Sequence, residues 1–559
     1  MHSKNHIAGK EDQIGSRNII FLIFILIFVT LIRIPTIIEP WGSDQGVYGY
    51  IADGLLKGKV PYKDMYTSTG YGLYFAYALF FKLFGNHMIA LHMGDLLAAL
   101  ITVFLVFYIT QMLYGKECAI IAALAAAIFG SGQSFSGLYD MKGAWGTYWQ
   151  LAQRETFMTP LMAAGILIAV IADRAQKSYQ YFWVGTLVGL AAVFKMTAVG
   201  MIVMLFLYLI YAELIDARGG GIKRCLSIIA FIILGFVCIQ LPFIVYFWMN
   251  DSLGAMYKAV FVHTSIYAKL SRGNIIANAF QGNSYILCEN LALWLFSFAS
   301  IFYLMTHERK RENYLVVAWT IGTVLMIWGQ GKFFGYHFIL IVAPFSVLTG
   351  FGIKRFLKIK PSWRDSFLYA RKDATQIFLW VLILGNLVVF AGNNFEYYRW
   401  HALYLLGKIS KSEYYEVFNE YPLHLYSFRS DNEVADYIKN YAKPGASLRT
   451  VNGGGDTIIH YLTKLTSPTR FTSTWYLFSL SLYQDPTTDR LRQEFIDGIK
   501  SAKPDYILLI YYSMEEFRAI FNADNYHDTI ELMDYISENY VLEKSFRDRR
   551  TLYKRVFYK

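Results

Sequence analysis

Eleven long apolar stretches dominate this chain and limit it to folds in which they sit in lipid. A helix needs about 20 apolar residues to cross the hydrocarbon core of a bilayer. Runs at 19–38, 88–113, 118–133, 156–173, 181–197, 198–215, 225–249, 286–306, 314–331, 336–353 and 375–393 meet or approach that length, with 118–133 and 181–197 the shortest. Only 17% of the 559 residues are charged, against roughly 25% in soluble domains, which excludes a purely soluble protein. The apolar content likewise excludes a disordered one. The stretch Tyr71–Phe84 is apolar and aromatic but short, and is expected to lie in the interface or to re-enter.

Orientation follows from lysine and arginine in short loops. With the N-terminus inside, the inner loops carry Arg174, Lys177, Arg218, Lys223, Arg224, Arg309, Lys310, Arg311, Lys354, Arg355, Lys358, Lys360, Arg364, Arg371 and Lys372. The other loops are poorer in cations for their length. An odd number of spans then places everything after residue 393 outside. The first run, Ile19–Ile38, is too long for a signal-peptide core and reads as an anchor that stays in the membrane. The net charge of +11 is explained by this pattern, and the basic loop 354–372 lies between two spans, so no nucleic-acid partner is expected. Cys118, Cys225, Cys238 and Cys288 sit in or beside apolar runs without metal-ligand spacing, and read as packing residues.

Beyond Asn394 the pattern changes. Ser447–Asn452 reads as a strand, Gly453–Gly455 as a turn, Asp456–Leu465 as a helix and Asp505–Tyr512 as a buried strand. The glycine turn could cradle a phosphate, but it lacks a Walker lysine or a dinucleotide fingerprint. The expected fold is mainly α: a polytopic membrane domain of about 11 transmembrane helices over 1–393, then an extracytoplasmic α/β domain over 394–559. The expected location is the plasma (inner) membrane, multi-pass.

The first outer loop, 39–87, holds the sharpest local signal. Val47, Tyr50, Ile51 and Leu55 recur at helical spacing, which predicts an amphipathic interfacial helix, with Ser43 or Asp44 placed to cap it and Gly58 to end it. Asp44, Tyr48, Gly58-Lys59-Val60-Pro61-Tyr62-Lys63-Asp64, the aromatic run and Phe84-Gly85 resemble the GT-C glycosyltransferases. These are multi-span enzymes that use polyprenyl-phosphate sugars. The pattern is most similar to the dolichyl-phosphate-mannose protein mannosyltransferases and to the bacterial aminoarabinose and lipopolysaccharide-core sugar transferases. Gly189–Lys195 and Gly335–Pro344 extend the likeness. The resemblance implies a catalytic base at Asp44. Many members carry Lys-Pro-Pro-Leu before the aromatic run, where this chain has Ser68-Thr69-Gly70-Tyr71, so the lysine expected to bind phosphate is absent.

Transfer of a sugar from a lipid-linked phosphate to a hydroxyl needs a base for the acceptor and cations for the departing phosphate. The predicted topology supplies both on one face. Besides Asp44, the candidates are Tyr48, Lys63, Arg154, Glu155, Lys195, Lys332 and His337 as substrate-binding residues. Ionisable groups at membrane depth are functional candidates by default, and Lys195 is the clearest. Glu155 could instead position the acceptor or, with Asp44, hold a divalent metal; no metal ligand set is otherwise assigned. Asp140 and Lys142, beside Trp145, Tyr148 and Trp149, are weaker candidates, and His92 and Asp95 read as ties between helices. The expected partners are a polyprenyl-phosphate sugar donor, a glycan, lipid or protein acceptor, and membrane lipids. The competing reading is a transporter or flippase of a lipid-linked or polar substrate. It is disfavoured by the lack of an internal repeat and by ionisable groups gathered toward one face.

Overall fold

The computed structural model describes residues 16–131, 151–216, 219–266, 275–357, 366–418, 427–452, 457–478, 485–522 and 527–556. Helices stand at all eleven predicted stretches. Seven are long and apolar enough to cross a membrane: Asn18–Ile38, Ile89–Tyr114, Arg154–Ala175, Met196–Ile215, Gly221–Met249, Gly335–Leu357 and Thr375–Leu405. The remaining four, Lys116–Phe129, Tyr181–Phe194, Leu291–His307 and Arg311–Trp328, are 14 to 18 residues long. The chain is therefore a multi-pass membrane protein. The run predicted at 286–306 spans two helices, because Asn290 separates Ile275–Glu289 from Leu291–His307. The predicted end of the membrane domain at 393 falls inside a continuous helix, Ser366–Leu405. Its last turns leave the apolar pattern but keep helical period: Tyr397 and His401 are buried, and the Tyr397 hydroxyl donates to Glu39 Oε1.

Small residues let the bundle close tightly, as expected where lipid supplies no hydrophobic drive between helices. The short helix Tyr181–Phe194 lies against Gly221–Met249 through reciprocal glycines. A Cβ on Gly185 would stand 2.0 Å from the Ile232 carbonyl oxygen, and one on Gly235 2.0 Å from that of Phe182. Gln240 adds a hydrogen bond to the Gly189 carbonyl at 2.7 Å. This contact fixes the end of the short helix, where Lys195 emerges. At the far end of the bundle, Arg311 is buried between Asp173 and Glu213 and joins the helices Arg154–Ala175 and Arg311–Trp328 to the turn at 211–215.

The chain beyond residue 427 forms a four-stranded sheet flanked by helices. The strands are β1 (Leu448–Val451), β2 (Tyr506–Ile510), β3 (Tyr540–Phe546) and β4 (Arg550–Arg555), in spatial order β1-β2-β4-β3. β1 and β2 are parallel; the other pairs are antiparallel. β1, β2 and the helix Thr457–Thr463 occupy the places read from the sequence. The turn Gly453–Gly455 lies outside the described residues.

This sheet domain sits directly on the segment 41–87. Tyr66 N–H donates to the Arg470 carbonyl at 2.6 Å and its carbonyl accepts from Thr472 N–H at 3.2 Å. The Tyr461 hydroxyl donates to Asn86 Oδ1 at 2.9 Å, and its ring lies 4.5 Å from that of Trp41. A Cβ on Gly46 would meet Ile458 Cβ at 3.0 Å.

Gly235→Ala should lower stability by about 1–3 kcal/mol, the usual cost of forcing an extra carbon into a packed contact. Gly165→Ala, whose new carbon would find ordinary contacts at 3.8 Å or more, should be neutral or slightly stabilising. Thermal unfolding of both variants in detergent checks the pair.

Candidate active site

The interfacial helix forms as predicted, Ser43–Leu56, but it is capped differently. Gly42 is its N-cap and no side chain caps it, so neither Ser43 nor Asp44 is used in that way. Asp44 is instead a first-turn residue whose carboxylate faces the start of the helix Arg154–Ala175. The helix is also buried on most sides rather than lying on a surface. Val47 and Ile51 are buried, and Gly46 faces Ile458 of the sheet domain.

Four separate stretches meet here. Asp44 Oδ2 is 3.5 Å from Gln153 Nε2. Tyr48, one turn further along, is buried with its ring 6.0 Å from that of Tyr74 and 6.1 Å from that of Tyr77. Arg154 and Glu155 open their helix behind the N-cap Gln153, where the positive end of the helix dipole adds to the cationic field. Lys195 sits in extended backbone (φ −154°, ψ 124°) between Tyr181–Phe194 and the next turn. Its Nζ donates to Glu155 Oε1 and to Gln330 Oε1, at 2.5 Å each. His337 Nε2 stands 3.9 Å from the same Glu155 oxygen, and the Tyr336 ring packs edge-on to His337 at 4.7 Å. Arg154 differs from these: its Nε is buried without a hydrogen-bond partner, and among the described residues no carboxylate is ion-paired with it.

The electrostatics follow from this crowding. Burial pushes the Asp44 carboxyl above its ordinary value. Arg154, the Gln153 hydrogen bond and Lys195 pull it back, and Glu155 pushes it further up. Burial, together with Lys195 and Arg154, holds the Lys332 ammonium down at about 7, with Asp44 opposing. Burial also raises the Tyr48 hydroxyl well above its usual value, so it stays a neutral donor.

The structure thus brings Asp44, Tyr48, Arg154, Glu155, Lys195, Lys332 and His337 together. It does not bring in Lys63, which is exposed and donates to the Asn250 carbonyl at 3.0 Å. Asp140, Lys142, Trp145, Tyr148 and Trp149 lie outside the described residues. His92 and Asp95 do tie helices: His92 Nε2 bonds the Glu39 carbonyl at 3.1 Å, and Asp95 pairs with Arg33. Gln153, Gln330 and Tyr336 are site residues that charge-based reading misses. The available signal was their position, each within two residues of a charged candidate or of His337. Among the described residues no three His, Cys, Asp or Glu groups gather to hold a metal ion, and Glu155 is engaged by Lys195.

Comparison with known proteins bears on the fold. Residues 70–246 match the sequence profile of the dolichyl-phosphate-mannose-protein mannosyltransferase family. No curated protein matches the sequence. Among solved structures, the chain is similar to ArnT from Cupriavidus metallidurans bound to undecaprenyl phosphate: TM-score 0.57, 14% identity, covering 97% of this chain and 99% of that one. The apo form of ArnT gives 0.56 and 13%, over 96% and 97% of the two chains. The Archaeoglobus fulgidus oligosaccharyltransferase in its apo form scores 0.49 at 12% identity, over 97% of this chain and 74% of that one. The fold is that of the GT-C glycosyltransferases, as the first outer loop implied.

Lys332 is expected to titrate near pH 7, since it is held down at about that value. Asp44→Asn removes a charge that supports its protonation and should move its midpoint lower. Competitive acylation of Lys332 against pH, read by mass spectrometry, measures both; a midpoint near 10 would contradict the geometry.

Proposed function

We propose that the protein is an integral-membrane glycosyltransferase that moves a sugar from a polyprenyl-phosphate-linked donor to a hydroxyl acceptor on a cell-envelope glycan, lipid or protein. The observation that carries this reading is the half-buried Asp44 carboxylate facing Arg154, whose buried Nε has no hydrogen-bond partner, with Lys195 and Lys332 close enough to shift one another's protonation. A cluster with surplus cations around one base suits an anionic ligand presented at the edge of the bundle. The likeness to a fold solved with undecaprenyl phosphate, and to a mannosyltransferase profile, supports the donor class.

In this reading the acceptor oxygen attacks the anomeric carbon while the bond from that carbon to the phosphate oxygen breaks. Asp44 takes the acceptor's proton; its raised acid strength threshold, caused first by burial, brings it nearer to a useful base at neutral pH. The phosphate leaves with the bonding electron pair, and Arg154, Lys195 and Lys332 face the charge that builds there. A single displacement inverts the anomeric centre. The transferred unit is a hexosyl or pentosyl group. Tyr48 and His337 line the cleft as neutral hydrogen-bonding groups, and Glu155 holds Lys195 in place. The site faces the extracytoplasmic side, with the N-terminus cytoplasmic and the sheet domain outside, as the loop charges require.

Asp44→Asn should lower transfer by about 10²–10⁴-fold, the range for loss of a positioned base, with membrane insertion and melting temperature unchanged. An active Asn variant removes the base from the mechanism. Affinity for undecaprenyl phosphate should fall as pH rises through about 7, where Lys332 loses its proton, because the anion favours the charged ammonium. Lys332→Met should flatten that dependence; the titration is read by binding to nanodisc-embedded protein. Mass spectrometry of envelope glycans and lipids, with and without the gene, names sugar and acceptor together.

A further inference from the structure

The turn that delivers Gln153, Arg154 and Glu155 is held by three side chains from three different helices. Gln45, next to Asp44, donates from Nε2 to the Leu151 carbonyl at 2.7 Å. The Tyr77 hydroxyl donates to the Ala152 carbonyl at 2.7 Å. Asp95 Oδ1 accepts the Ala152 N–H at 2.8 Å. Ala152 has φ +52°, a left-handed conformation that a residue with a Cβ adopts only when its surroundings impose it. Asp95 is buried, and its other oxygen pairs with Arg33, whose second terminal nitrogen reaches the Gly130 carbonyl.

Arg154 lies two residues beyond this turn. Its Nε makes no hydrogen bond and no carboxylate among the described residues is ion-paired with it, so the backbone at Ala152 is the described feature that sets where it stands. We propose that Asp95 is a positioning residue of the transfer reaction: with Arg33 as counter-ion, it holds Ala152 in its left-handed turn and thereby sets where the Arg154 guanidinium stands relative to Asp44. The inference rests on the transferase reading above, but its geometry can be tested apart from activity.

The readout is the protonation of Asp44. Arg154 is the strongest of the groups that hold the Asp44 carboxyl down; Gln153 and Lys195 act with it, and Glu155 against it. If Asp95→Ala lets Arg154 drift, the Asp44 midpoint rises. Loss of a negative charge at Asp95, with Arg33 left unpaired, would by Coulomb's law alone move the midpoint the other way, so the sign separates positioning from charge. Carbodiimide labelling of Asp44 against pH, read by mass spectrometry on the full-length protein in nanodiscs, reports the midpoint without substrate. The acid limb of kcat/KM with an undecaprenyl-phosphate sugar reports it during turnover.

Asp95→Ala is expected to shift both upward and to cut kcat/KM about tenfold. Asp95→Asn keeps an amide oxygen for the Ala152 N–H but loses the same charge, so it should show no upward shift, only the smaller downward one that Coulomb's law gives, together with a lower melting temperature. Tyr77→Phe removes the other bond to Ala152 and should give a smaller upward shift; it decides the matter if Asp95→Ala does not fold. An unshifted Asp44 midpoint in every variant that folds overturns the assignment and leaves Asp95 a structural ion pair. A shifted midpoint in a protein that transfers no sugar overturns the transferase reading instead.

Discussion

The cost of placing cations beside one another in an apolar bundle governs the whole arrangement. A buried charge without a partner is strongly unfavourable, yet Arg154 and Lys195 converge on one cleft, with Lys332 beside them. The Lys195–Glu155 pair relieves part of that cost and also fixes geometry. Its carboxylate comes from the start of one helix and its ammonium from the break after another, with Gln330 completing the ammonium's bonds from a third stretch. What is left after this pairing is a positive field around Arg154, on which the Asp44 carboxylate also bears. A ligand that brings its own negative charge completes the site better than the protein does alone.

The interfacial helix couples this cleft to the sheet domain. One face carries Asp44 and Tyr48 toward the bundle, and Gly46 allows the helix Thr457–Thr463 to approach from the other side. Tyr66 joins the domain through main-chain bonds to Arg470 and Thr472, and Arg470 also donates to the Tyr62 carbonyl at 3.0 Å. The domain therefore braces the segment that carries Asp44, whatever else it contacts. Glu39 does the same from the bundle's rim, linked to Tyr397 and lying 3.7 Å from His401 Nε2.

Much of this was legible in the sequence, for identifiable reasons. Apolar runs and helical periodicity gave the spans and the interfacial helix, because burial in lipid leaves a strong, local pattern. Arg154, Glu155, Lys195 and His337 stood out as ionisable groups in or at the ends of apolar runs. The cap at Asp44 was misread because Gly42, without a side chain, takes the N-cap position and leaves the carboxylate turned toward Gln153. Lys63 misled because the turn before it bends sharply, with Tyr62 at φ 68°, and sends it to solvent. Gln153, Gln330 and Tyr336 carry no charge, so their only signal was their nearness in sequence to Arg154, Lys332 and His337. The hold of Asp95 on Ala152 is a bond to backbone, to which side-chain patterns are blind. The helix past residue 393 was missed because its apolar run stops while its buried period, at Tyr397 and His401, continues.

The departure at Ser68-Thr69-Gly70-Tyr71 acquires a physical meaning in this setting. A Cβ on Gly70 would stand 2.5 Å from the Phe194 carbonyl oxygen, and one on Gly72 2.8 Å from the backbone of Val193. The Tyr71 hydroxyl donates at 2.9 Å to Gln240 Oε1, and Gln240 in turn bonds the Gly189 carbonyl. Tyr62 closes the other side with a bond to the Thr69 carbonyl at 2.6 Å. This segment is therefore packed against the last turn of Tyr181–Phe194, with no room between them for a larger backbone-facing residue. The Ser68–Tyr71 segment is thus a brace for the helix end that presents Lys195.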